Sequence, residues 1–160
     1  RIWRKIASRD NIFKMAFIEN RKAYHDYEIL EKFEAGLELK GLEVKTLKSG
    51  RGSLVGSRII IRGGEAYVVG MDIPPYQTAN TPKDYDSQRI RRLLLNRKEI
   101  QYLDGKSQQQ GLTSIPLQIY NRKGFLKISF GFCRGLKKYD KRERMKERET
   151  KRKIERLLKI

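Results

Sequence analysis

Side chains able to grip a polyanion gather in one stretch of this chain: Asn20, Lys22, His25, Glu34, Lys45 and Lys48. The cations there would neutralise phosphates. His25 by itself reads first as a structural hydrogen-bonding residue. Glu34 is the odd member, because phosphate repels a carboxylate. At nucleic acid it would accept from base amino or imino groups, or organise a nearby cation; otherwise it is a strand-end surface carboxylate. Tyr24 and Tyr27 would stack on bases, although one face of their strand must pack inward. Further along, Ser87 reads as an N-cap for a helix through Ile90, Leu93 and Leu94. On that helix Arg89 and Arg92 share a face at i, i+3 spacing, suited either to clasping phosphate oxygens or to a solvated surface.

Catalytic chemistry finds little support. The single histidine cannot run a two-histidine acid/base mechanism, and no Ser-His-Asp grouping is discernible. One His and one Cys (Cys133) cannot build an ordinary structural zinc site, and a lone cysteine forms no intrachain disulfide. Asp84, Asp86 and Asp104 are the nearest thing to metal ligands, yet loop and cap carboxylates are ordinarily solvated. Gly50-Arg51-Gly52 and Gly63-Gly64 do not make a Walker-type phosphate loop. The expectation is a protein without enzymatic activity, cofactor or metal; a metal-dependent nuclease using the loop aspartates is the enzymatic rival.

The elements that must position these residues are mainly β. Strands are expected over 26–33, 37–47, 58–62, 65–71, 114–121 and 125–133, six in all. Leu37, Leu39 and Leu42 alternate with Glu38, Lys40, Glu43 and Lys45 as in a half-buried strand, with Gly36 and Gly41 at bulge-like positions. Gly63-Gly64 and Asn121-Arg122-Lys123-Gly124 are hairpin turns. Gly52–Gly56 is read as a turn of helix. Asn96 and Glu99 form a capping box that opens a further helix with Ile100 and Leu103. Strands of this number and length suggest an OB-like closed antiparallel β-barrel with about three flanking short helices.

Lys and Arg total 37 against 19 acidic residues, a formal net charge of +18, which calls for a polyanionic partner. Nucleic acid fits better than an anionic membrane surface, since the basic tail lacks a strong apolar helix face. Residues 134–160 carry 13 basic and 5 acidic groups, and residues 1–14 carry 5 and 1. The extensions therefore hold two thirds of the excess. Residues 1–14 have too few apolar residues for a secretory signal, and Met15 reads as a natural beginning. They are taken as a mobile basic arm or a start-site artefact, followed by a body over 15–133 and a basic tail over 134–160. The tail's i, i+4 pairs, such as Asp140–Arg144 and Glu147–Lys151, are each worth about 0.2–0.5 kcal/mol. It is expected to be disordered when free and helical on a polyanion.

Three ordered segments carry a resemblance: Asn20-Arg21-Lys22-Ala23, Phe33-Glu34-Ala35-Gly36 and Gly41-Leu42-Glu43-Val44-Lys45. They are similar to the SsrA-binding protein (small protein B) family, bacterial partners of transfer-messenger RNA in ribosome rescue. The likeness covers nearly everything after Met15, with Thr46 where Ser is usual and Lys48 where Arg is usual. Arg89-Ile90-Arg91-Arg92-Leu93-Leu94-Leu95 resembles the family's basic Leu-rich segment, preceded here by Asp86-Ser87 instead of Asp-Pro. Arg134-Gly135-Leu136-Lys137-Lys138 looks like its Arg-Gly-Lys-Lys motif, with Leu136 replacing the first Lys.

The resemblance implies RNA contacts at Asn20, Lys22, His25, Glu34, Lys45, Lys48, Arg89, Arg92, Arg134, Lys137 and Lys138. It further implies a ribosome-binding tail that includes Tyr139, Asp140, Lys141 and Arg142. The implied function is to bind the tRNA-like domain of transfer-messenger RNA and deliver it to stalled ribosomes for trans-translation. The tail would occupy the decoding centre and the empty messenger channel. Alanyl-tRNA synthetase and the tRNA-delivering elongation factor would be partners through the RNA, and the chain would act as a cytoplasmic monomer. A structural ribosomal or general RNA-binding protein is the alternative.

Overall fold

A computed structural model describes residues 16–159; the arm expected over 1–14 lies outside them. The chain runs β1 (Ala16–Glu19), α1 (Arg21–Asp26), β2 (Tyr27–Leu37), α2 (Gly41–Lys48), β3 (Arg58–Arg62), β4 (Glu65–Val69), β5 (Arg91–Leu94), α3 (Arg97–Ser107), β6 (Leu112–Arg122), β7 (Phe125–Gly135) and α4 (Lys138–Leu158). The seven strands form one sheet in the order β1-β6-β7-β2-β5-β4-β3. Every neighbouring pair is antiparallel. β1 and β3 end the ladder, and β3 also lies against β6.

Both predicted hairpins form, for the reason the sequence offers. Gly63 and Gly64 take φ of 59° and 74° between β3 and β4. That left-handed pair costs a glycine little and most residues more. Lys123 and Gly124 do the same between β6 and β7, with φ of 51° and 84°. The predicted capping box also stands: Asn96 Oδ1 accepts from the Glu99 amide, and Glu99 Oε2 accepts from the Asn96 amide, each at 2.9 Å. Gly52–Gly56 is not helical; Ser53 there makes an isolated antiparallel bridge to Asp72.

The sheet buries one face around Phe33, Leu93, Ile119, Ile128 and Phe130, closed over by Leu47, Leu54, Met71, Ile73 and Leu103. Phe33 stacks on Phe130 and meets Phe132 edge-on, both at 5.5 Å between ring centroids. Such packing adds to the area buried by each ring.

Two segments overturn the expected elements. Residues 41–48 are helix α2 and not part of a strand: the residues facing inward are Glu43, Thr46 and Leu47, at helical spacing. Two of those three are polar, so the helical period is invisible to an apolar count. Residues 91–94 are strand β5 and not a helix: Arg91 and Leu93 are buried while Arg92 and Leu94 are exposed. Ile90 and Leu94, apolar residues of the expected helix, are 56% and 52% exposed.

The tail also differs from expectation, since Lys138–Leu158 is one helix in the chain alone. Its first half rests on the body. Lys141 Nζ lies 3.1 Å from Asp26 Oδ1. Arg144 donates to the Tyr27 carbonyl at 3.5 Å and Arg148 to the Tyr24 carbonyl at 3.3 Å. Beyond that, Ile154, Leu157 and Leu158 are more than half exposed.

Candidate nucleic-acid interface

The predicted residues separate into two clusters at opposite ends of β2 and a third group paired with other residues of the chain. At the Tyr27 end, β2 pairs with the end of β7, so Glu28 faces Arg134 and Tyr27 faces Gly135. Leu136 continues the join, its amide donating to the Asp26 carbonyl at 2.9 Å. His25 closes α1, with Nδ1 2.8 Å from Asp26 Oδ1. Hydrogen bonds from His25 and Lys141 hold the Asp26 carboxyl below its ordinary range. Lys22, Arg134, Lys137, Lys138 and Arg142 are exposed around this junction or on the helix that leaves it. Tyr139 is 69% exposed, while Asp140 Oδ2 accepts from the Lys137 amide at 3.2 Å and starts α4.

About seven residues along β2, or roughly 23 Å at strand rise, stands Glu34. Its carboxylate accepts from Arg122 Nη1 at 2.8 and 2.7 Å and from the Tyr120 hydroxyl. Burial and that bond to Glu34 push the Tyr120 phenol up, so it remains a protonated donor. Pairing in register places Lys127 opposite Tyr120 and Gly36, and Leu94 beside Gly36. A cleft there is lined by Lys48, Leu94, Phe125 and Lys127. Phe125 is 70% exposed. This face therefore offers cations beside an aromatic ring and a leucine, the combination that suits phosphates next to bases. Lys45 and Lys48 stand exposed on α2.

Three predicted contacts are engaged by other residues of the chain: Asn20 in the interior, Arg89 at its edge and Arg92 on the surface. Asn20 is buried and caps α1: its Oδ1 accepts from Ala23, and its Nδ2 donates to the carbonyls of Leu54 and Pro116 at 3.1 and 3.0 Å. Arg89 sits not on a helix but in the turn before β5, bonded to Glu43 at 2.8 Å. Arg92 pairs with Glu38 at 2.8 Å and approaches Glu65 at 3.7 Å. The two arginines thus share no helix face.

Arg91, unremarked in the sequence, is fully buried and reaches Glu43 at 2.9 Å while donating to the carbonyls of Met71, Ser87 and Arg89. Burial alone would raise the Glu43 carboxyl; bonds from Arg89 and the Lys40 amide, with the Arg91 charge, outweigh it and hold the group below its ordinary range. Arg122, Tyr120, Lys127 and Phe125 also escaped notice. The available signal was strand period: Tyr120 and Arg122 are two apart on one strand and so share a face.

Asp84 is exposed, and Asp86 is used to hold the Gln88 amide at 2.9 Å. Among the described residues no group of three or more His, Cys, Asp or Glu is placed to hold a metal. Nor is any described helix long and apolar enough to cross a membrane.

An antiparallel sheet with a cationic, aromatic outer face and a basic terminal helix defines an RNA-binding class of protein. Within that class the chain belongs to the SmpB family, whose model, "SmpB protein", matches residues 17–160. It is 51% identical over 138 residues to the SsrA-binding protein of Desulfitobacterium hafniense, covering 86% of this chain and 88% of that one. The SsrA-binding protein of Azoarcus sp. is 45% identical over 91% of this chain and 99% of its own. A solved chain described as "tmRNA-SmpB: a journey to the center of the bacterial ribosome" superposes with a TM-score of 0.64 at 45% identity. That match covers 76% of this chain and 85% of the other.

Proposed function

We propose that this protein binds the tRNA-like domain of transfer-messenger RNA and brings it to stalled ribosomes in trans-translation, acting by binding and not by catalysis. The observation that carries this reading is the likeness, in sequence and fold together, to the SmpB chain of the tmRNA–SmpB assembly. The chemistry agrees: an excess of 18 positive charges meets a polyanion, and affinity should fall steeply with salt as counterions are released.

In this reading the sheet curls into an OB-like barrel, supported by β3 lying against β6. The face around Glu34, Lys45 and Lys48 meets the tRNA-like RNA, and exposed Lys22, Arg134, Lys137 and Lys138 add phosphate contacts. The tail, from Tyr139 through Arg142 onward, reaches the small-subunit decoding centre and the empty messenger channel, leaving its docked position to do so. Alanyl-tRNA synthetase and the tRNA-delivering elongation factor join through the RNA, and the protein works as a cytoplasmic monomer.

Removing residues 137–160 tests the division of labour. No residue of α4 is buried, so the core survives the cut. The truncated chain should hold transfer-messenger RNA within a few-fold of the whole protein yet fail to rescue stalled ribosomes. Full rescue without the tail would discard the tail assignment. Sequencing RNA that copurifies with the whole protein tests the ligand: enrichment of ribosomal RNA without any tRNA-like RNA would favour a structural ribosomal component instead.

A further inference from the structure

Glu34 is the acidic member of a basic face, and its hydrogen-bonding capacity is already largely taken. Arg122 Nη1 occupies both oxygens, and the Tyr120 hydroxyl a third site; a carboxylate has about four in all. The Glu34 side chain is 18% exposed, while that of Arg122 is 39% exposed. The bonds to Glu34 engage Nη1 alone, leaving the Nε and Nη2 donors of a rigid guanidinium fork available to a ligand. Arg122 pairs with exposed Phe125 across the hairpin, and Lys127 lies two residues on, so the free side of the fork shares its surface with another cation and an aromatic ring.

We propose that Arg122 is the residue of this face that grips the RNA backbone, and that Glu34 and Tyr120 are positioning residues acting through it. Glu34 then accepts nothing from a base. It fixes one nitrogen of Arg122 so that rotamer freedom is lost before RNA arrives and not on binding. The arrangement accounts for a carboxylate at a phosphate-binding surface without placing it against phosphate. This inference rests on the reading that the protein binds the tRNA-like RNA.

The test measures affinity of the full chain for the transcribed tRNA-like domain at several salt concentrations, with urea midpoints recorded for each variant. Arg122→Ala should weaken binding about 10- to 100-fold, the range for a charge-assisted hydrogen bond. It should also lower the slope of log affinity against log salt by about one. Arg122→Lys should recover part of the loss. Glu34→Ala should weaken binding less than Arg122→Ala. In the Arg122→Ala background, Glu34→Ala should cost nothing further, or restore some affinity, because an unpaired carboxylate repels phosphate. Lys98→Ala removes one charge from α3 as a control.

A multiplicative loss in the double variant would put Glu34 on the RNA directly and overturn the proposal. So would an Arg122→Ala effect no greater than that of Lys98→Ala. If the unaltered chain binds the tRNA-like RNA no better than an unstructured RNA of equal length, the parent reading of function fails, and this inference with it.

Discussion

Two carboxylates, nine residues apart in sequence, show how one chemical group serves two ends. Glu43 is buried among Arg89, Arg91 and the Lys40 amide, and Arg91 is as inaccessible as Glu43 itself. Glu34 is held by Arg122 and Tyr120 at the rim of the sheet, with its cation half in solvent. The first cluster ties α2 to β5 and is closed to a polyanion at Glu43 and Arg91, with only part of Arg89 reaching solvent. The second leaves part of a guanidinium exposed beside Phe125 and Lys127. Burial thus separates an ion pair that specifies the fold from one that presents a charge.

The largest effect should come from breaking the inner pair. Glu43→Ala leaves Arg91 as a buried charge without its counterion, a loss of about 3–5 kcal/mol, read as a lowered urea midpoint. RNA affinity of the protein that stays folded should be unchanged. A drop in that affinity comparable to the one caused by Glu34→Ala would erase the distinction between the clusters.

Acid gives the same contrast in graded form. The Glu43 carboxyl is depressed below its ordinary 4.5 in the fold. The sign follows: its contribution is fully present above that value and is lost as pH falls through the lower folded value. A urea midpoint measured from pH 6 down to pH 3 should fall less steeply in Glu43→Gln than in the parent. Parallel curves would remove Glu43 as the responsible group.

Glu34→Ala comes next: a loss of about tenfold in RNA affinity with less than about 1 kcal/mol of stability, as for other partly exposed pairs. Smallest of all is Asp26→Asn, which weakens the contact with Lys141 that docks α4. A surface pair of that kind is worth about 0.2–1 kcal/mol. The measurement is amide exchange across α4, expected to rise modestly while the sheet stays protected; unchanged exchange would mean the helix rests on Arg144 and Arg148 instead.

The same contrast explains where sequence reading succeeded. Turns are local: Gly63-Gly64 and Lys123-Gly124 carry the left-handed geometry in their own chemistry, and Asn96 and Glu99 satisfy each other across a single helical turn. β6 and β7, expected over 114–121 and 125–133, were equally legible. α2 and β5 were not, because each has a charged residue on its buried side. Counting Glu43 as exposed turned a helix into a strand, and the spacing of Ile90, Leu93 and Leu94 turned a strand into a helix.

Of the outer site, Glu34 and Lys48 stood out by type and by family likeness. Arg122 and Tyr120 did not, since their partner lies 86 to 88 residues away in sequence.

What the residues by themselves determined was the polyanionic partner, the family, the hairpins and the basic extension, all carried by charge or by neighbours within a few positions. What tertiary structure decided was which charges are free. Glu43 and Arg91, 48 residues apart, can leave water only together, since a lone buried ion is prohibitively costly. Their environment therefore exists only once the sheet has brought them into contact.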